Sequence, residues 1–177
     1  TKWKHEKRNQ QWYLGETFNA AIGQGYVAAT PMQMAQLMSV VANGGLIYRP
    51  VMVKAEAPLQ PVASADIKPQ VLALVRDSLY GVVNEGGGTG GAARSSIAAV
   101  GGKTGTAQVV SIRKSSHQLP EKFRDHAWFV AFAPVEKPAI ALCVFIEHGG
   151  HGGGAAAPIA KLAIEAYLKS EKLKAEN

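Results

Sequence analysis

The sequence predicts an α+β fold in which an antiparallel β-sheet is flanked by helices. Three apolar segments with strand character follow one another in the last third of the chain, joined by a loop and a short connection. Amphipathic segments with helical spacing precede and follow these strands. Successive strands with such connections pair antiparallel, and amphipathic helices need an apolar surface on which to pack. We therefore expect one sheet with helices packed against it.

Composition sets the class of protein. The 177 residues fit one domain, and 47% hydrophobic with 18% charged residues are ordinary globular values. The formal charge of +6 suits acidic partners or anionic surfaces without identifying either. The single cysteine, Cys143, excludes an internal disulfide and hence a disulfide-stapled small protein. Because the chain begins at Thr1 rather than Met, we interpret it as a piece of a longer protein.

The first segment, residues 2–13, is basic and rich in aromatic side chains and has neither the helical nor the strand period. We therefore predict an extended surface segment. Trp3 and Trp12 among lysines could also stack on and neutralise a single-stranded nucleic acid. The same charge balance is ordinary for a solvated loop, and we expect no nucleic-acid partner.

The next two elements are a helix and a short strand. Thr30 as the cap and Pro31 at the first helical position predict a helix that ends at residues 44–45, two glycines. Residues 46–55 predict a strand, which Pro50 confines to an edge or a bulge.

A second helix is predicted from Asp66, as its cap, to about Val83. Its expected inward face consists of Val71, Leu72, Val75, Leu79 and Val82. A glycine cluster at 86–91 ends this helix.

The sheet occupies the last third of the chain. Strands are predicted at 98–110, 126–133 and 139–147, with a charged loop at 111–125 and a hairpin connection at 134–138. A glycine loop at 149–154 then leads to an alanine-rich helix from Ala155 to about Lys169, which should pack across the sheet. Its expected inward residues are Ile159, Leu162, Ala163, Ala166 and Tyr167.

The strongest candidate site is Lys103-Thr104-Gly105-Thr106 on the first of the three strands. Alternation directs both threonines to one face and Lys103 to the other, and Gly105 lets a ligand approach the backbone. Two hydroxyls, an ammonium and free backbone N–H groups would form a receptor for a carboxylate and an oxyanion if the strand is an edge strand. Gln108 lies two residues further along the same face and is a weaker candidate.

Lys-Thr-Gly is one of three signature elements of penicillin-binding proteins and serine β-lactamases, the others being Ser-x-x-Lys and Ser-x-Asn. The sequence around this element resembles the C-terminal part of class B penicillin-binding proteins, most of all the elongation-type group, penicillin-binding protein 2. The similarity covers nearly the whole chain. It rests on the ordered combination of residues 23–35, 43–45, 102–108 and 125–134.

Two of the three signature elements are missing from these residues. The only Ser-x-x-Lys, at 111–114, follows Lys103 in a polar loop and is interpreted as a coincidence, and no Ser-x-Asn occurs. Residues 1–177 would therefore be a partial transpeptidase domain of a penicillin-binding/serine β-lactamase-like fold that lacks the upstream nucleophile and its lysine base. Such a piece could not perform acyl transfer alone.

The resemblance implies roles for the candidate residues. Lys103 would support the hydroxyl of the missing middle element and the substrate carboxylate. The hydroxyls of Thr104 and Thr106 would bind that carboxylate, with Gly105 and Gln108 beside them, and the Thr106 N–H would donate to the oxyanion. The reaction implied is cross-linking of peptidoglycan stem peptides by serine acyl transfer.

The resemblance also implies partners and a location. The expected partners are the D-Ala-D-Ala end of a stem peptide, β-lactam antibiotics and other proteins of cell-wall elongation. The expected location is the periplasmic face of the bacterial inner membrane, with an anchor in the missing N-terminal part.

Two other interpretations remain open at this point, whereas two further patterns are not expected to form sites. The chain could be a noncatalytic peptide- or glycan-binding module, or a fragment of a serine β-lactamase or D,D-carboxypeptidase. Residues 150–155 imitate a dinucleotide fingerprint, but a following strand and acidic residue are missing. Pairs of histidines such as His148 and His151 make a metal site imaginable, yet we expect structural or solvated histidines, no metal and no cofactor.

Overall fold

The computed structural model describes residues 2–53, 57–109 and 120–176. The helices are α1 (Lys2–Arg8), α2 (Leu14–Ala21), α3 (Pro31–Ala42), α4 (Pro69–Asn84) and α5 (Gly152–Glu176). The strands are β1 (Leu46–Ile47), β2 (Ala63–Ser64), β3 (Gly101–Ala107), β4 (His126–Ala133) and β5 (Ile140–Ile146). Short 3-10 turns occur at Gly91–Ala93 and Glu121–Phe123.

The predicted antiparallel sheet is confirmed. The three long strands have the order β3-β4-β5, and both neighbouring pairs are antiparallel. In the β3–β4 ladder, Thr104 lies opposite Phe129 and Thr106 lies opposite Ala127. The predicted hairpin between β4 and β5 is present, with Ala139 N–H donating to the carbonyl of Ala133 at 2.9 Å. Together with helices on its faces, the sheet confirms the α+β class.

The central strand β4 is buried on both faces, which explains why its sequence is a nearly continuous apolar run. One face contributes Ala127, Phe129, Ala131 and Ala133 to a core shared with α4 and α5. The other face contributes Val130 and Phe132, which pack against Met38 and Ala42 of α3. The sheet is thus the middle layer between helices.

The predicted boundaries of α3 are confirmed. The Thr30 hydroxyl accepts a hydrogen bond from the N–H of Gln33, whose side chain returns one to the N–H of Thr30. This reciprocal pair is a capping box, and Pro31 occupies the first helical position. Residues 44–45, both with positive φ, follow the end of the helix.

The prediction of an extended segment at 2–13 is wrong, because residues 2–8 form α1. The inward-facing residue of this helix is Lys4, which is only 2% exposed. A search for an apolar stripe does not detect a helix whose buried position is a lysine. Lysine, arginine and glutamate are nevertheless good helix formers, and Lys2 and Glu6 form an exposed (i, i+4) pair at 3.8 Å.

The predicted start and face of the second helix are also corrected. Asp66 is not the cap: α4 begins at Pro69, with Lys68 before it in an extended conformation. A residue that precedes proline is disfavoured in the helical region, so the helix cannot start earlier. Val71 and Val75 are exposed, whereas the buried face contains Leu72 and Val83.

Arginine explains the shifted face of α4. Arg76 lies between Leu72 and Val83 on the inner side, and its guanidinium donates to the carbonyls of Ala42, at 3.0 Å, and Val135. Its guanidinium also lies 5.7 Å from the centre of the Phe132 ring. Because Arg76 points inward and is not apolar, the apolar pattern of the sequence indicates a face that is rotated around the helix from the buried one.

The last helix is longer than predicted, and it presents a different face to the sheet. It begins at Gly152 rather than Ala155, and its fully buried residues are Ala156, Ala157, Ala160 and Ile164. Of the predicted inward residues, Ile159 is 47% and Leu162 is 66% exposed. The helix lies so close to the sheet at its start that alanines, and not the larger side chains, fit between them.

The remaining predictions concern the connections. The strand predicted at 46–55 is reduced to β1, which pairs with β2, and Pro50 lies outside it. The strand predicted at 98–110 is confirmed over residues 101–107. Residues 54–56 and 110–119, which include Ser111-Ile112-Arg113-Lys114, lie outside the described residues.

Candidate active site

The candidate strand lies at an edge of the three-stranded sheet. In the described chain β3 has β4 as its only sheet neighbour, so one side of its backbone is not part of a ladder. The carbonyl of Thr106 accepts a hydrogen bond from Gln24 Nε2 at 3.1 Å, which shows that it points away from β4. Within an antiparallel strand, the N–H and C=O of one residue lie on the same side. The Thr106 N–H therefore points outward as well.

Lys103 and Thr104 are brought together at this edge. Lys103 is exposed, and its Nζ lies 2.9 Å from the carbonyl of Thr104 and 3.3 Å from Thr104 Oγ1. Alternation predicts opposite faces for these residues, but the flexible lysine side chain reaches around the open edge of the strand. An ammonium next to a hydroxyl is a suitable arrangement for binding a carboxylate.

Thr104 has a second polar partner that the sequence did not indicate. Thr89 lies in the glycine-rich loop after α4, and its Oγ1 is 3.0 Å from Thr104 Oγ1. The loop is tied back to α4 by the N–H of Gly90, which donates to the carbonyl of Val82 at 2.9 Å. In the sequence, residues 86–91 are the glycine cluster that ends the helix, and the threonine among these glycines is the available signal.

The other predicted site residues are placed as follows. Gly105 and Thr106 are half-buried, and Gly105 lies opposite Trp128 in the ladder. A side chain at position 105 would lie 3.1 Å from the Cβ of Trp128, so the glycine permits close packing against β4. Gln108 is exposed and lies one residue beyond the end of β3. The strand thus groups Lys103, Thr104 and Thr106, but not Gln108.

The glycines before α5 serve close packing. A Cβ added at Gly152 would collide with the carbonyl of Trp128 and lie 2.7 Å from that of Gly105. At Gly153 it would lie 2.5 Å from the carbonyl of Thr89. The pattern that imitates a dinucleotide fingerprint therefore places the first turn of α5 directly against the strand and its neighbouring loop.

The histidines beside this region contact one another. His126 Nδ1 accepts the N–H of His148 at 2.9 Å, and the two rings are 4.7 Å apart. His148 Nδ1 lies 3.0 Å from the carbonyl of Arg124. Within residues 2–53, 57–109 and 120–176, no three histidine, cysteine, aspartate or glutamate residues are grouped as metal ligands.

Two pockets occur elsewhere on the described surface. One, of about 290 Å³, lies between α4 and the connection after β4 and includes Leu72, Arg76 and Val135. The other, of about 330 Å³, lies at the start of α5 and includes Arg124, His148 and His151. Neither is lined by Lys103, Thr104 or Thr106, so these two pockets are separate from the candidate strand edge.

Comparison with curated proteins gives close relatives. The chain is 35% identical to the peptidoglycan D,D-transpeptidase MrdA of Haemophilus influenzae over 94% of its own length and 28% of that protein. It is 34% identical to the MrdA of Escherichia coli over 85% of its length and 26% of that protein. The chain thus spans about a quarter of the length of these relatives.

Two solved PBP2 structures are also similar to this chain. The PBP2 of Pseudomonas aeruginosa in complex with WCK 5153 is 37% identical, with a TM-score of 0.75, and the match covers 94% of this chain and 35% of that one. The PBP2 of Helicobacter pylori, in its complex with MreC, is 32% identical with a TM-score of 0.76, covering 97% and 30%. The expected elongation-type relationship is confirmed by these names.

A family model describes the penicillin binding protein transpeptidase domain, and it matches residues 4–165. This match includes the β3 strand and all of its packing partners in the sheet. Since it covers most of the sequence, the chain belongs to the family of penicillin-binding protein transpeptidase domains.

Proposed function

We propose that this chain is the C-terminal part of the transpeptidase domain of an elongation-type peptidoglycan D,D-transpeptidase, and that it supplies one wall of the active site. The observation that carries the proposal is the edge of β3, where the main chain of Thr106 points outward and Lys103 Nζ lies 3.3 Å from Thr104 Oγ1. Family membership supports it. The Ser-x-x-Lys and Ser-x-Asn elements would belong to a preceding part of the protein.

The reaction would proceed in two acyl transfers. A serine outside residues 1–177 attacks the carbonyl carbon of the penultimate D-alanine of a stem peptide. The C–N bond to the terminal D-alanine breaks, and this D-alanine leaves with a proton while its partner remains as a serine ester. The amine of a second stem peptide then attacks the ester, forms the cross-link and returns the proton to the serine.

The residues of β3 would bind and polarise the substrate. The Lys103 ammonium and the hydroxyls of Thr104 and Thr106 bind the terminal carboxylate. The outward N–H of Thr106 donates to the oxyanion that forms on the attacked carbonyl, with the serine N–H as the second donor. Loss of one such donor raises a barrier by about 3 to 4 kcal/mol. Gly105 and Gln108 would lie beside the substrate without a charge of their own.

The same relatives support two kinds of partner. Penicillin-binding protein A of Mycobacterium tuberculosis, 30% identical, has been solved as a penicillin G acyl-enzyme complex, and the H. pylori PBP2 was solved with MreC. We infer that the present protein is acylated by β-lactams and works with other cell-wall elongation proteins. No nucleic acid has a role in this proposal.

The expected location is the periplasmic face of the bacterial inner membrane, where peptidoglycan precursors are cross-linked. Among the helices that the structure describes, none is long and apolar enough to cross a bilayer.

Labelling with a fluorescent penicillin tests the proposal. The full-length protein should be acylated at a serine that precedes residue 1, and the 177-residue chain should remain unlabelled. Lys103→Ala in the full-length protein should slow labelling about 100-fold, since a charge that binds the carboxylate is lost. Lys7→Ala, at an exposed position of α1, is the matched control and should label normally. Labelling of the 177-residue chain, or normal labelling of Lys103→Ala, would contradict the proposal. A noncatalytic peptide-binding module would not label in any form.

A further inference from the structure

We propose that Gln24 is a positioning residue of this site. Its side-chain amide holds the main chain of Thr106, so that the Thr106 N–H keeps the direction in which it can donate to an oxyanion. The inference rests on the proposed function and adds a residue to it that lies outside the strand. Gln24 would act through Thr106 and not on the substrate itself.

The contact is specific in geometry. Gln24 Nε2 donates to the carbonyl of Thr106 at 3.1 Å, across 82 residues of sequence. Both residues are half-buried. On an edge strand a carbonyl has no partner strand to fix it, so this hydrogen bond restrains the backbone of Thr106 where the ladder does not. Since the N–H and C=O of Thr106 point the same way, restraining one also restrains the other.

The backbone around Gln24 is itself fixed by the end of α2. Gln24 N–H donates to the carbonyl of Asn19 at 2.9 Å, and Gly23 N–H donates to that of Ala20 at 3.0 Å. Together with the positive φ of Gly23, 73°, these two bonds form a Schellman motif in which Gln24 is the second residue after the cap. The amide is therefore delivered from a defined turn.

The other side of this turn is anchored by aromatic rings. Tyr26 packs edge-on against Trp3, with ring centres 5.6 Å apart, and contacts Trp12 at 6.3 Å. The buried Lys4 lies 5.4 Å from the centre of the Tyr26 ring and is paired with Glu16. Gln24 is thus held between a helix end and a packed cluster, which is the support that a positioning residue requires.

The test uses the full-length protein and a fluorescent penicillin, with the acylation rate constant k2 measured separately from the noncovalent dissociation constant Kd. Gln24→Ala should lower k2 about five- to tenfold, the effect of one lost hydrogen bond, with Kd unchanged. Gln70→Glu, at an exposed position of α4, is the matched control and should behave as the wild type.

Gln24→Glu adds a readout that a purely structural role would not give. At pH 8 its carboxylate cannot donate and repels the Thr106 carbonyl, so k2 should fall at least as far as in Gln24→Ala. As the pH is lowered from 8 to 5, a growing protonated fraction can donate, because carboxyls titrate near 4.3 and a neighbouring carbonyl raises that pKa. The ratio of variant to wild-type k2 should therefore rise on acidification.

The possible results distinguish a failure of the proposed function from a failure of the proposed role of Gln24. If the wild type is not labelled, the proposed function fails. If the wild type is labelled and Gln24→Ala and Gln24→Glu keep its k2 at every pH, the role of Gln24 fails. A loss confined to Kd would make Gln24 a substrate contact and would also overturn the inference. If Gln24→Ala does not fold, Gln24→Asn, which keeps the amide but is one methylene shorter, should show the same loss of k2, and normal k2 would contradict the proposal.

Discussion

The sheet core and the N-terminal segment, residues 2–26, are held together in different ways. In the core, Phe129 and Phe132 of β4 are fully buried among alanines of α5 and apolar residues of α3 and α4. In the N-terminal segment the buried group is the ammonium of Lys4, which donates to the carbonyl of Gln11 at 2.8 Å and to Glu16.

This difference indicates which amino-acid substitutions each region should tolerate. The core depends on volume, because its small residues allow helix and sheet to approach closely. The N-terminal segment depends on chemical identity, because the Lys4 ammonium lies 5.1 Å from the Tyr13 ring and 5.4 Å from that of Tyr26. Volume changes should therefore damage the core, and charge changes should damage the segment.

The largest effect is expected from Phe129→Ala. Removing a fully buried ring leaves a cavity between β4 and α5 and should lower the free energy of unfolding by about 3–5 kcal/mol. Chemical denaturation of the full-length protein, followed by circular dichroism, measures it. Phe145→Ala, at a position 38% exposed, is the control and should cost clearly less. Equal costs at the two positions would mean that burial does not control stability in this sheet.

A smaller loss is expected when the core is overfilled. Ala160→Leu places three extra carbons at a fully buried position of α5 and should cost about 1–3 kcal/mol. Ala163→Leu, on the exposed side of the same helix, should be nearly neutral. Thermal unfolding of the two variants compares them. A neutral Ala160→Leu would show that α5 can move away from the sheet, contrary to the close packing described.

Lys4→Ala should affect the N-terminal segment alone. It removes a buried ammonium and leaves Glu16 and the carbonyl of Gln11 without that partner, which should cost about 1–2 kcal/mol locally. Hydrogen exchange should become faster at residues 14–21 and stay unchanged in β4. Lys7→Ala, on the exposed side of α1, provides the comparison. Faster exchange throughout the sheet would instead mean that the two regions unfold together.

The smallest effect is a dependence on pH in the same segment. The hydrogen bond from Lys4, followed by that from the Tyr13 N–H, lowers the pKa of Glu16 below its ordinary value of 4.5. A carboxyl with a lowered pKa stabilises the folded state above its unfolded pKa and loses this contribution as the pH falls through its folded value. Tryptophan fluorescence should therefore report loosening of the segment below about pH 4.5, and Glu16→Gln should abolish that pH dependence. A transition unchanged in Glu16→Gln would assign it to another group.

Most of the fold could be predicted from local patterns. The bounds of β4 were predicted from its apolar run, and those of α3 from Thr30 and Pro31. Two of the errors have a common cause, since Lys4 in α1 and Arg76 in α4 are cations at inward positions, and a search for apolar periodicity treats such residues as exposed.

The candidate site was predictable only in part, because some of its contacts join residues that are far apart in the sequence. Lys103, Thr104 and Thr106 are adjacent in sequence, so their grouping on one strand is a local property. Gln24 and Thr89 reach the same strand from 82 and 15 residues away, and no local pattern reports such contacts. In both cases the available signal is a polar residue between glycines, Gln24 between Gly23 and Gly25 and Thr89 between Gly88 and Gly90.

The close contact of Gly152 with the carbonyls of Trp128 and Gly105 should restrict the movement of β3. With the first turn of α5 in direct backbone contact on one side and β4 paired along its length, β3 has little freedom to shift. In the proposed active site, the edge of β3 that carries Lys103 should therefore stay fixed. We expect that any closure around the proposed peptide substrate comes from the facing part of that site, and that a bulkier residue at position 152 would displace β3 without touching the substrate.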